Sequence, residues 1–125
     1  MQATAIDAPV MEIKIGGRER ELRFDNEMIR RTEIAFAAST GVQMGYLGIL
    51  AQADRGIFAA LCAMCYGGIA SAEAFAGLDP RRRTTFRALD AEIGYTGLID
   101  QGDFLVKAAM EALDAGRGAQ KKTDG

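Results

Sequence analysis

The chain has no histidine and no tryptophan, and only two cysteines and two prolines among its 125 residues. The missing histidine excludes the most. Imidazole is the commonest general base near neutral pH and the commonest metal ligand, so Ser-His-Asp and Cys-His nucleophile schemes are absent, as are histidine-containing zinc or iron sites. Two cysteines supply neither a four-cysteine zinc site within one chain nor a disulfide-dense secreted framework. A reducing cytoplasm is the expected setting. Charge of one sign is also scarce: fifteen Lys and Arg against seventeen Asp and Glu leave a net charge of -2, far from the basic excess of a nucleic-acid-binding domain. No nucleic-acid partner is expected. The opening residues carry Asp7 and Pro9 and no basic start before an apolar run, so they do not resemble a signal peptide.

What is present fits one domain, since single domains typically run to about 100–150 residues. The chain is 49% hydrophobic but 7% aromatic, so its core must be built largely from Ala, Leu, Ile and Met. Charge falls in three blocks. Residues 12–33 carry six basic and six acidic side chains, residues 34–72 only Asp54 and Arg55, and residues 73–125 eight basic and nine acidic ones. The neutral centre is expected to be sheltered by the protein's own helices.

Residues 1–10 lack periodicity and read as a flexible arm. From Met11 to Phe24 the pattern has period two: Met11, Ile13 and Ile15 alternate with charged residues, and after Gly16 and Gly17 so do Leu22 and Phe24. This predicts a β-hairpin with both apolar sets on one face. A four-residue loop, Gly16 to Glu19, would set Ile13 opposite Leu22 and Met11 opposite Phe24. A two-residue Gly-Gly turn keeps the parity but pairs Ile13 with Arg20, so the longer loop is preferred.

Asp25 has the chemistry of a helix N-cap, with Glu27 in the first turn and Met28, Thr32, Ala35, Phe36 and Ser39 on one face before Gly41. Between Val42 and Ala53 a helical stripe of Met44, Leu47, Leu50 and Ala51 persists despite glycines. Ile57 to Tyr66 is uncharged and predicts the central core helix, with Phe58, Leu61, Cys62 and Cys65 on one face and Gly67 and Gly68 closing it. A short turn near Ala72 to Ala76 follows. Asp79 and Pro80 read as the start of a helix carrying Phe86, Leu89 and Ile93 up to Gly94. Residues 94–102 read as a loop, and Asp103 caps a last amphipathic helix from Phe104 to Ala115. There Lys107, Glu111 and Asp114 form a narrow polar stripe beside Leu105, Val106, Ala109, Met110 and Leu113. Residues 116–125 hold no large apolar side chain and read as a disordered tail. The fold class is therefore mainly α (α+β), an N-terminal β-hairpin followed by four to five helices in a compact bundle spanning residues 11–115.

Three constellations could carry chemistry. Cys62-Ala-Met-Cys65 spells C-x-x-C, which supports disulfide exchange in a thioredoxin-like setting. Lying inside an uncharged run with no strand before it, it reads better as two small hydrophobes sharing a helix face. Asp90 with Glu92, and Asp100 with Asp103, lack the placement of an acid–base pair or a calcium loop. No catalytic, cofactor or metal site is expected. Arg81, Arg82 and Arg83 stand where each cation would oppose the helix macrodipole by about 0.3–1 kcal/mol. They read as partners of Asp79 and neighbouring carboxylates, or as a contact for an acidic partner segment. The uncharged runs 34–53 and 56–72 also allow an alternative, a two-span membrane protein of holin type, although Ser39, Thr40, Gln43 and Gln52 would then be stranded in lipid.

The order of these features carries a resemblance. The hairpin Glu12-Ile-Lys-Ile-Gly-Gly ends in Leu22-Arg-Phe24. A helix running through Arg31-Thr-Glu33 follows, then a Thr40-Gly41 break and a central helix reaching Tyr66-Gly-Gly-Ile69. Over roughly residues 11 to 115 this resembles the tail assembly chaperones of long-tailed bacteriophages, including the related small proteins of gene transfer agents. The resemblance implies a non-enzymatic protein of the host bacterial cytoplasm that binds the long helical tape-measure protein and other tail proteins before the tube polymerises. It also implies absence from the mature virion, and self-association into a homo-oligomer is a further expectation. No cofactor, nucleic acid or membrane partner is expected. Such proteins often have a longer form made by ribosomal frameshift, for which Lys121-Lys122 is a candidate slippage position. The partner-facing surface is expected to use Met64, Leu105, Met110 and Leu113, with Arg81, Arg82 and Arg83 adding contacts to acids. Met44, Met64 and Met110 would let that surface adapt to a guest helix.

Overall fold

A computed structural model describes residues 8–124, with side chains described as far as Ala115. The expected loose arm over residues 1–7 lies outside that description, as do the side chains of the expected disordered tail from residue 116 onward. In order the chain forms strands β1 (Val10–Ile15) and β2 (Arg18–Arg23), then helices α1 (Asn26–Thr40), α2 (Tyr46–Asp54), α3 (Phe58–Phe75), α4 (Phe86–Glu92) and α5 (Tyr95–Asp124). The mainly helical bundle with an N-terminal hairpin is thus the observed fold.

The strands form a two-stranded antiparallel sheet that is apolar on the face toward α3. Its turn corrects the expected loop. Gly16 and Gly17 alone make it, with φ of 58° and 80°, the paired positive values that match a tight turn to the twist of its strands. Ile13 therefore faces Arg20, and Met11 faces Leu22. The pairing with arginine is accommodated because the Arg20 guanidinium reaches Glu92 Oε1 at 2.6 Å and Thr84 Oγ1 at 3.4 Å, while its Nε is buried with no hydrogen-bond partner among the described residues. Pairing also begins earlier than the expected arm allowed: Val10 opens β1, and the Pro9 carbonyl accepts the Phe24 N–H at 2.9 Å.

Asp25 caps α1 as expected, its carboxylate accepting the Met28 N–H, and Gly41 closes the helix. Glu27 binds Arg30 at 3.0 Å and Arg31 at 2.7 Å on the outer face. Met28, Thr32, Ala35 and Phe36 are buried, whereas Ser39, expected on that face, is exposed.

α3 is the core of the molecule, with twelve of its eighteen residues buried under the hairpin, α1, α2 and α5. It runs straight through Gly67 and Gly68, which were expected to end it, and absorbs the short turn expected at Ala72 to Ala76. The glycines are interior because two neighbours press against them. A Cβ on Gly67 would lie 2.8 Å from the Met28 carbonyl oxygen of α1, and one on Gly68 would lie 2.7 Å from Leu22 Cβ of β2. A local propensity cost of about 1 kcal/mol per glycine is thereby exchanged for close packing of α1 and β2 on one helix.

Beyond α3, the single long helix expected from Asp79 divides. Asp79 caps only one 3-10 turn, Pro80–Arg82, after which Arg83 is extended and Thr85 caps α4. Both the Thr84 amide and its hydroxyl are held by Glu73 at the end of α3, at 2.8 and 2.6 Å. The expected loop at 94–102 is instead the first part of α5, and Asp103 is an exposed residue within that helix. Leu98, Gly102, Leu105, Val106 and Ala109 form its buried stripe, and the close approach of Leu61, 3.3 Å from where a Gly102 Cβ would stand, gives that glycine a packing reason. Gln101 reaches back to the edge of β1, accepting the Lys14 N–H at 2.9 Å and donating to the Lys14 carbonyl at 2.7 Å.

Candidate binding surface

The neutral centre is only partly sheltered. In α1 Ile34 lies across the helix from the buried stripe and is 68% exposed, Val42 in the connection to α2 is 48% exposed, and Leu47 in α2 is 64% exposed. The stripe expected for α2 is also rotated. Tyr46, Ile49, Leu50 and Ala53 point inward, while Leu47 and Ala51 face water. Between α1 and the start of α2 lies an open groove of about 620 Å³, lined by Glu33, Ile34, Ala37, Gln43, Met44 and Gly45, so that of the exposed Ile34, Val42 and Leu47 it is Ile34 that reaches it.

Glu33 sets the geometry of that groove. The preceding Gly45 offers no side-chain cap to α2, and Glu33 Oε2 takes its place by accepting the Tyr46 N–H at 2.8 Å. This satisfies one of the orphan donors at the helix start and puts a negative charge where the macrodipole favours it. Met44 folds over Gly48, where a Cβ would stand 2.8 Å from Met44 Cγ, so a flexible thioether forms part of the groove wall. Burial pushes the Tyr46 hydroxyl up to about 12.

The residues expected to meet a partner fall into two sets. Met64 and Leu105 are fully buried, which removes them from any surface that a partner could reach without opening the core. Met110 is 40% exposed, and Leu113 is half-buried beside it on α5. Arg81 and Arg82 are exposed, Arg81 pairing with Asp79 at 3.2 Å, while Arg83 is half-buried and donates from Nε to the Leu78 carbonyl at 2.8 Å. Because α4 starts only at Phe86, none of the three opposes its dipole. The Arg81 amide and side chain hold the Asp79 carboxyl below its ordinary value.

Cys62 and Cys65 are buried free thiols on α3. Burial first, and then the Asp90 carboxylate, pushes Cys62 up to about 12, and burial with the neighbouring Cys62 does the same for Cys65. A thiol so far from its thiolate is a poor nucleophile. Ellman's reagent at about pH 8 should label neither cysteine in the native protein and both in guanidinium, and rapid labelling of the native state would contradict this placement. Of the carboxylate pairs, Glu92 is taken by Arg20, and Asp100 and Asp103 stand exposed on α5. Among the described residues no cluster of three His, Cys, Asp or Glu could hold a metal ion.

The two-span alternative loses its first span, because residues 34–53 are divided between α1 and α2 by the break after Thr40. Among the described residues only α3 is long and apolar enough to cross a membrane, and 67% of that window is buried inside the fold.

Sequence reasoning missed Glu33, Ile34, Val42 and Leu47. A usable signal was present: Ile34 falls off the stripe of Met28, Thr32, Ala35 and Phe36, and Ser39, Thr40, Gly41 and Gln43 make a poor core. Comparison with known proteins yields no matching family model, no matching curated protein and no matching solved structure.

Proposed function

We propose that the protein is a non-enzymatic assembly chaperone of the phage-tail type, shielding apolar helical segments of a tape-measure protein in the host bacterial cytoplasm until the tail tube forms, and leaving before the virion is complete. The supporting observation is the outward-facing apolar surface on a stretch of twenty uncharged residues, Ile34 to Ala53. Exposed large apolar side chains close in sequence to an open groove, with Ile34 in its wall, are what a helix-in-groove binder needs. Met110 and Phe104, the latter 68% exposed, extend the apolar surface available on α5. The exposed Arg81 and Arg82 suit acidic stretches of the same guest. Other tail proteins and further copies of the chain are additional partners in this reading, and neither nucleic acid, membrane nor cofactor is required.

Co-expression with a tagged fragment of a phage tape-measure protein tests the proposal. The two should purify together. A folded chain that does not co-purify with any fragment tiled along the tape-measure protein would overturn it.

A further inference from the structure

The groove between α1 and α2 has a mixed lining, with Ile34, Ala37 and Met44 beside Gln43 and Gly45, and is acidic at one point. Glu33 is the charged residue in its lining, and its Oε2 is engaged by the Tyr46 amide while Oε1 has no hydrogen-bond partner among the described residues. No ion pair to Glu33 is seen among the described residues, and Arg30 and Arg31 on the same helix are both held by Glu27. From Ile34 to Ala53 no other charge follows. A guest that filled the groove with apolar groups alone would cover this half-buried carboxylate without a counter-charge, which is costly. A guest with a carboxylate there would be repelled.

We propose that the groove takes an amphipathic helix carrying one lysine or arginine on its apolar face. The cation pairs with Glu33 Oε1 while aliphatic side chains one turn away pack on Ile34, Ala37 and Met44. A helix suits the site because its i, i+3 and i+4 positions place a cation and its apolar anchors side by side. Lysine and arginine both suit it, since their stems lie along apolar surface while the head reaches the acid. The inference deepens the chaperone reading by naming the chemistry of the guest segment.

The test uses labelled designed peptides of about 18 residues, long enough to hold helix in solution: a Leu/Ala helix with one lysine on the apolar face, and its glutamine and glutamate counterparts. Fluorescence anisotropy with the full chain should show the lysine peptide binding about tenfold more tightly than the glutamate peptide. Glu33→Gln, which keeps an acceptor for the Tyr46 amide, should abolish the preference for lysine over glutamine. Ile34→Glu, at a position already facing water, should abolish binding of all three, and circular dichroism melts should show both variants folded. Equal binding of the three peptides, a lysine preference that survives Glu33→Gln, or no binding at all overturns the inference. These outcomes are independent of whether a tape-measure fragment is captured, so the two readings can fail separately.

Discussion

Gly67→Ala should destabilise the protein by about 3 kcal/mol, near the upper end for adding one methyl group to a packed interior. The added carbon would collide with the Thr32 hydroxyl and stand 2.8 Å from the Met28 carbonyl oxygen and 3.0 Å from the Thr32 amide nitrogen. A hydroxyl can rotate away, but two backbone atoms of α1 cannot, so the whole helix must move off α3. Thr32 is itself fully buried, which leaves nowhere for the displacement to go. Gly97→Ala is the control, since nothing lies within 4 Å of that position in the first turn of α5. There the lower entropy of the unfolded chain should leave stability unchanged or raise it by about 0.5–1 kcal/mol. Urea midpoints at constant slope read both effects. A Gly67→Ala midpoint matching the wild type would mean that α1 and α3 are not packed as described.

Asp25→Ala is expected to cost about 2–4 kcal/mol, because one carboxylate serves three structural tasks. Its Oδ1 accepts the Met28 amide at 3.0 Å and the Ser71 hydroxyl of α3 at 2.6 Å, and its Oδ2 accepts Arg23 Nε at 3.0 Å. Arg23 is 4% exposed and lies over the Phe75 ring at 3.6 Å, so loss of the acid removes a charged partner from a deeply buried cation. Asp25→Asn keeps an acceptor for the cap and should cost less, about 1–2 kcal/mol. The pH dependence separates charge from shape. Burial pushes the Asp25 carboxyl up, but Ser71, the Met28 amide and Arg23 together outweigh it and hold the group below its usual 3.8. A carboxyl depressed on folding contributes stability above its unfolded value and loses it as pH falls through the folded one. Glu27, held down by Arg30 and Arg31, titrates in the same sense. The stability gap between wild type and Asp25→Asn should therefore narrow as pH drops from about 5 to 2. A gap constant over that range would show that the charge is not what Asp25 contributes.

The parts of the fold legible in the sequence are those where one local signal acts alone. Asp25, Glu27 and Gly41 mark α1 because capping chemistry is local. The apolar face of the hairpin is legible because parity survives either turn, whereas its register depended on where the Arg20 guanidinium goes, and that is decided by Glu92 and Thr84 on distant segments. Glycine misled at Gly67, Gly68 and Gly102 for one reason. Helix propensity weighs the missing side chain as a loss, while packing uses it as room for a neighbour that the local sequence does not reveal. The neutral centre was misread for a related reason. A run without charge is equally consistent with an interior and with an outward apolar face, and at Ile34, Val42 and Leu47 the side chains face water. Met64 and Leu105 were placed on the surface by the converse error, since an apolar stripe at helical spacing is first of all a core.

The hydrogen bonds from Gln101 to Lys14 join positions 87 residues apart. A side-chain amide that both donates and accepts stands in for one residue of a third strand, and so blunts the outer rim of the hairpin. During synthesis that substitute is made 87 residues after the strand it covers. Until then the nascent hairpin presents a bare rim to any other extended polypeptide. A product truncated ahead of Gln101 would keep that rim permanently and should self-associate through it.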